Sequence, residues 1–374
     1  MRKGRLLLIA LCVSLLLPAA ASAREISTCA KACVVIDAAS GRVLLEHNAH
    51  QALPMASTTK VMTALIAIEK GNLADTVVTG RNAFGVPGTS IYLGLGESLT
   101  LEQMLYGLMM QSGNDAAVAI AEHIGGTVDG FCAMMTARAK KLGCENTVFL
   151  TPHGLPCDGH YTTAHDLALI AREAMGHEVF RQIVSTQRAT IPWEGRSYDR
   201  VLRNKNRLLA EYDGATGIKT GFTRAAGRCL VSSATRDGMS VICVVLNCGD
   251  WFNESARLMD LAFDEWESVT LLFEGECLRR IPVETGEAGE VRALLQANLT
   301  GLVPRGALPQ VEIDLPCLLE APVQAGQVLG EARLTASGET VAVSPLVAGE
   351  AVPRDDFPTR WRRYWRLWPT LAAP

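Results

Sequence analysis

Apolar residues run almost unbroken from residue 61 to residue 68, Val61-Met62-Thr63-Ala64-Leu65-Ile66-Ala67-Ile68, between Pro54 and Gly71. A stretch with no polar face predicts a buried helix, opened by small and hydroxyl residues and ended by the glycine. Ahead of it, residues 33–37 and 43–46 are strand-like on either side of Ala38-Ala39-Ser40-Gly41, which predicts a hairpin leading into that helix. After a glycine-rich loop, Thr100 and Gln103 have the spacing of a capping box for a helix ending at Met110. Further helices are expected at residues 116–124, 128–142 and 163–175, with residues 151–160 a loop by composition. Two apolar strands, 229–234 and 239–246, are joined at Asp237-Gly238, a strong hairpin signal. From residue 271 to 352 the helical period disappears. Short apolar segments at 278–283, 311–315, 332–334 and 341–343, divided by Gly and Pro, predict a small all-β module.

The ends of the chain are different in kind. Met1-Arg2-Lys3-Gly4-Arg5 is basic, residues 6–17 are apolar, and Ala21-Ser22-Ala23 is a small-residue cleavage signal. This is the pattern of a secretory signal peptide, and its apolar run is too short to span a bilayer. The mature chain is expected to begin near Arg24, outside the cytoplasm. Cys12 lies within the apolar run rather than at the cleavage point, which argues against a lipoprotein anchor. At the other end, a helical reading puts Trp361, Tyr364, Trp365 and Trp368 on one face and Arg362, Arg363 and Arg366 on the others. Aromatic rings against arginines suit the surface of a membrane's outer leaflet, and the segment is too short to cross it. The expected plan is a signal peptide at 1–23, a main domain at 24–268, a β-rich domain at 269–354 and an anchoring tail at 355–374. A net charge of −4 with no basic cluster in the body argues against nucleic acid as a partner. Of 11 cysteines none has Cys-x-x-Cys spacing, and a chain of this size needs no disulfide scaffold, so mostly buried free thiols are expected. Pairing of Cys144 with Cys157, or of Cys243 with Cys248, stays open.

Candidate chemistry begins at Ser57-Thr58-Thr59-Lys60. Residues three apart at a helix start share a face, and an amine whose pKa is lowered by burial can take the proton of a serine hydroxyl. Ser57 is thus a candidate nucleophile and Lys60 its base. Ser112 and Asn114, in Ser112-Gly113-Asn114, occupy a tight turn between two buried helices, where polar side chains need partners. Lys219-Thr220-Gly221, followed by Phe222, is expected on a strand beside the 229–246 hairpin. A cation, a hydroxyl and a bare backbone there suit an extended peptide ending in a carboxylate. His153, His160 and His165 have no metal-ligand spacing, so they are read as loop and capping residues; no metal and no cofactor are expected.

The three signals occur in order, each in the element its chemistry needs. Together with Gly88-Thr89-Ser90 and Gly217-Ile218-Lys219-Thr220-Gly221-Phe222-Thr223, they make the chain resemble, from residue 32 to the C-terminus, the low-molecular-mass penicillin-binding proteins, serine-type D-alanyl-D-alanine carboxypeptidases. The resemblance implies an α+β fold of the penicillin-binding-protein and β-lactamase type, an antiparallel sheet flanked by helices, with a small C-terminal all-β domain. It implies that Ser57 attacks the carbonyl between the terminal D-alanines of a peptidoglycan stem peptide while Lys60 takes its proton. Ser112 would relay a proton to the departing amine, Asn114 would hold Lys60 and the substrate amide, and Lys219 and Thr220 the substrate carboxylate. The backbone N–H groups of Ser57 and Phe222 would form the oxyanion hole, reached past Gly221, and a β-lactam would acylate Ser57 and leave slowly. Some members carry an arginine in the loop after the strand matching 239–246. Here residues 247–254 hold none, so the carboxylate must rest on Lys219 and Thr220 or on a base from elsewhere. A serine β-lactamase shares the three signals but needs a second carboxylate for its deacylating water, and no Glu-x-x-x-Asn lies between Asn114 and Lys219. A non-catalytic wall-binding scaffold is the other alternative, against which the intact set of candidate residues argues.

Overall fold

The computed structural model of this chain describes residues 24–358 together with Trp361 and Trp365. The expected signal peptide, and Tyr364, Trp368 and the tail arginines, lie outside the described residues. In chain order come β1 (Arg24–Glu25), β2 (Ala30–Asp37), β3 (Val43–His47), a 3₁₀ turn (Ala56–Thr59), α1 (Lys60–Lys70), β4 (Thr76–Val78), β5 (Ser98–Thr100), α2 (Leu101–Met110), α3 (Asn114–Gly125) and α4 (Val128–Lys141). Next are α5 (Ala164–Gly176), α6 (Glu178–Ser185), β6 (Arg188–Ile191), β7 (Arg200–Arg203), α7 (Leu208–Glu211), β8 (Ala215–Thr223), β9 (Gly227–Arg236), β10 (Met239–Cys248) and α8 (Trp251–Glu265).

A six-stranded sheet in the order β1-β3-β2-β10-β9-β8 forms the centre. It is antiparallel except for the short β1–β3 pair. Its inner strands are buried on both faces, which explains their near-continuous apolar runs. From β2, Ala32, Val34 and Ile36 join the core shared with α1 to α6, while Cys33 and Val35 join the core beneath α8. The β9–β10 hairpin turns at Asp237 and Gly238, both at positive φ (48° and 79°), the primed-turn geometry that Asp-Gly favours. Helix α1 runs through the middle of the helical layer, with residues 60–67 all buried. Its apolar circumference is the sequence signature of that position. Thr100 and Gln103 make the reciprocal capping box at the start of α2.

The last eight strands are β11 (Trp266–Leu272), β12 (Cys277–Glu284), β13 (Glu290–Leu295), β14 (Leu299–Pro304), β15 (Gln310–Asp314), β16 (Leu319–Glu320), β17 (Val328–Ala336) and β18 (Glu339–Ala348). They form a six-stranded sheet, β15-β17-β18-β13-β12-β16, and the pair β11–β14 around a separate core. Strand β11 follows α8 without a linker, so the expected boundary between residues 268 and 269 falls inside it. None of the described cysteines is in a disulfide, and Cys144 and Cys157 stand apart, the first against Asp166 O and the second exposed.

Candidate active site

Ser57 stands on the 3₁₀ turn that precedes α1, and Ala56 before it adopts φ +48°, a left-handed conformation that costs energy for any residue with a Cβ. Hydrogen bonds from the neighbouring loop hold that turn. Thr59 Oγ1 donates to Ala56 O at 2.9 Å and lies 2.9 Å from His160 Nε2. His160 Nδ1 accepts the Leu150 N–H at 3.0 Å, so the ring proton sits on Nε2 and points at Thr59. Burial pushes the pKa of His160 down to about 4, which keeps this neutral tautomer through the physiological range. Gly154 closes the arrangement: at φ +83°, a Cβ on it would lie 1.8 Å from Ala56 O. His160 and the carbonyl of His153 are therefore structural partners of the Ser57–Lys60 segment, whereas His165 lies in α5 beside Asp166 and the His50 ring.

Lys60 is 0% exposed, and its Nζ lies 2.7 Å from Asn114 Oδ1, 2.8 Å from His153 O and 3.1 Å from Ser57 Oγ. Burial first, then the positive charges of Lys219 and Lys205, bring its pKa well below that of an ordinary lysine, with Asp115 opposing. A neutral amine has two N–H donors and one lone pair. With Asn114 and His153 O taking the donors, the lone pair is left for the Ser57 hydroxyl. Asn114 opens α3, and its Nδ2 donates to Pro87 O at 2.7 Å, leaving one amide N–H for a substrate. Its neighbour Asp115 collects Ser90 Oγ and the N–H groups of Ile91 and Leu93, which ties the 87–93 loop and its Thr89 over the site. Ser112, at φ +65°, is 4% exposed, and its Oγ has no hydrogen-bond partner among the described residues.

Strand β8 is the open edge of the sheet, and Ser57 Oγ faces it across a cleft of about 280 Å³. The lining residues are Ser57, Thr89, Ser112, Lys205, Thr220, Gly221, Phe222 and Trp251. A Cβ on Gly221 would come 2.9 Å from Ser57 N and 3.0 Å from Thr58 N, so the absence of a side chain is what lets the strand approach the nucleophile turn. Lys219 stands on β8 beside the β9–β10 hairpin, as expected; it is 1% exposed and its Nζ donates to Thr220 O at 2.9 Å. Burial, reinforced by Lys205, lowers its pKa to about 7.

Two wall residues escaped the sequence reading. Lys205 sits between Asn204, which donates to Val184 O and Thr186 O, and Asn206, which donates to Gly217 O at 2.7 Å. The two amides pin the turn and leave the lysine at the cleft, a role that only the Asn-Lys-Asn spacing could have hinted at. Trp251 comes from α8. The segment read as a loop over residues 247–254 ends sooner, because Glu254 N already donates to Asp250 O and the helix has begun. Lys205 is a cation that lines the cleft.

A family profile described as D-alanyl-D-alanine carboxypeptidase matches residues 19–249, and one for the C-terminal domain of penicillin-binding protein 5 matches residues 266–354. The chain belongs to the D-alanyl-D-alanine carboxypeptidase family. It is 34% identical to D-alanyl-D-alanine carboxypeptidase DacF of Bacillus subtilis over 92% of this chain and 91% of that protein. With DacC of Escherichia coli it is 34% identical, over 91% of this chain and 86% of that one. The crystal structure of penicillin-binding protein 5 from Haemophilus influenzae superposes with a TM-score of 0.72 at 28% identity, covering 89% of this chain and 100% of that chain. The α+β fold with a C-terminal all-β domain, expected from the sequence, is the fold of these carboxypeptidases.

Proposed function

We propose that this carboxypeptidase removes the terminal D-alanine of peptidoglycan stem peptides through an ester on Ser57. The observation that carries the reading is the contact of Lys60 Nζ with Ser57 Oγ at 3.1 Å, in a site that favours the neutral amine. An extended peptide adds to the free edge of β8, with its terminal carboxylate drawn by Lys205, Thr220 and the field of Lys219. A neighbouring groove of about 390 Å³ runs from Ala56 between residues 154–158 and Thr223, and takes the acyl side of the chain. Ser57 Oγ attacks the carbonyl as Lys60 accepts the proton. The oxyanion meets the N–H groups of Ser57 and Phe222, and the proton passes by way of Ser112 to the leaving D-alanine amine. Water, deprotonated by Lys60, then cleaves the ester. No carboxylate lines the cleft among the described residues, and those of Asp115 are taken up by the 90–93 loop, which supports slow rather than rapid release of β-lactams. The chain is read as exported by residues 1–23 and held at the outer face of the membrane by its tail.

Intact-protein mass after incubation with penicillin G tests this. One covalent adduct on the peptide bearing Ser57, lost in Ser57→Ala, is expected alongside release of D-alanine from an N-acylated D-Ala-D-Ala peptide. Folded protein that takes up no adduct, or that turns over nitrocefin rapidly, would overturn it.

A further inference from the structure

Cys248 closes β10, where it pairs in register with Ala30 of β2. Cys29 therefore stands one residue beyond the last rung of that ladder, and the two thiols, 219 residues apart in sequence, meet at an Sγ–Sγ distance of 3.1 Å. The surroundings fix this encounter. Thr28 Oγ1 donates to Glu254 Oε1 at 2.5 Å, and Arg257 bridges the same carboxylate and Ser27 O, so residues 27–29 are fastened to the first turns of α8. Three residues after Cys248 the chain enters that helix, whose first residue, Trp251, lines the cleft beside Ser57.

We propose that Cys29 and Cys248 form an intrachain disulfide that ties the start of the first core strand to the β10–α8 junction. A bond needs an approach of about 1 Å, to an S–S length of about 2.05 Å. The oxidant is a disulfide. The Cys29 thiolate, on the exposed side, attacks one of its sulfurs, giving a mixed disulfide and releasing one thiolate. The Cys248 thiolate then attacks Cys29 Sγ, the new bond forms and the second oxidant sulfur leaves as a thiolate. The two protein thiols lose two electrons and two protons, and the oxidant gains them as two thiols. The order follows from exposure: Cys29 is open to solvent and Cys248 is buried, with its pKa pushed up by burial and by Cys29 itself. Such oxidants belong to extracytoplasmic compartments, where the proposed function places the chain. The bond would close a loop spanning most of the catalytic domain, and long loops give large effects in the chain-entropy account.

The test uses the purified full chain, reduced, freed of reductant and incubated with oxidised glutathione. Expected are an intact mass lower by two hydrogens, a non-reducing peptide map joining Cys29 to Cys248, a rise in Tm of several degrees, and slower amide exchange across residues 248–254. Cys29→Ser and Cys248→Ser should each abolish the rise. If both thiols stay open to alkylation, if glutathione remains on Cys29 unresolved, or if either cysteine pairs elsewhere, the proposal fails. None of these readouts depends on turnover, so they stand apart from the test of the hydrolytic reading.

Discussion

Lys60 and Lys219 are both buried, yet the proposed acylation asks for opposite charge states. Lys60 must be neutral to accept the Ser57 proton, and Lys219 must be charged to draw in a carboxylate. With the pKa of Lys219 lowered to about 7, kcat/KM for an N-acylated D-Ala-D-Ala peptide should fall as pH rises above about 7. A bound carboxylate stabilises the ammonium and raises its pKa, so the alkaline fall in kcat should lie at higher pH. Coincident falls in kcat and kcat/KM would remove Lys219 from this role. Lys205, on the cleft wall, is expected to make a charge-assisted bond to the same carboxylate. Its loss costs about 2 kcal/mol, so Lys205→Ala should lower kcat/KM by about 30-fold, mainly through KM. An unchanged KM would refute the assignment. The Ser57–Lys60 pair was legible because a helix start fixes the relation of residues three apart. Lys205 was not, because its approach depends on two asparagines bonding to carbonyls of other elements.

The elements meet where side chains are smallest. The 3₁₀ turn and β8 touch at Gly221, and in the proposed reaction the alignment of the oxyanion donors depends on that closeness. Gly221→Ala should separate turn and strand and slow acylation by a fluorescent penicillin by about 100-fold, the scale of losing one oxyanion donor, while the protein stays folded. Acylation at the native rate would show that the strand does not set the hole. Helix α1, the α2 capping box and the Asp-Gly hairpin were readable from local pattern. The start of α8 was not, since Asn247, Gly249 and Asp250 look like a loop and continue as one only until Trp251. Its buried Phe252, Ser255, Leu258, Met259 and Ala262 do follow the helical period, so the signal was present past the misleading start.

Across the whole molecule, the sheet holds two cores apart, one under α1 to α6 and one under α8, and the all-β unit has a third. No helix among the described residues is long and apolar enough to cross a membrane. Phe357, Trp361 and Trp365 are exposed, Phe357 stacked on Trp361 and Trp361 edge-on to Trp365, with ring centroids 6.0 and 6.1 Å apart, as residues four apart on one helix face can meet. Full-length chain should therefore sediment with anionic vesicles, and a chain ending at Phe357 should remain largely in the supernatant; equal sedimentation would dismiss the tail as the anchor. The sequence alone marked Ser57 and Lys60 as the candidate pair and determined the order of the three motifs, the helix that carries the first and the β character of the last third, because each rests on spacing within a few residues. Tertiary structure alone decided that Lys219 is buried, that Lys205 and Trp251 line the cleft and that Cys29 meets Cys248. Those outcomes depend on which distant elements the packing of a two-sided sheet brings together, and no local periodicity encodes that.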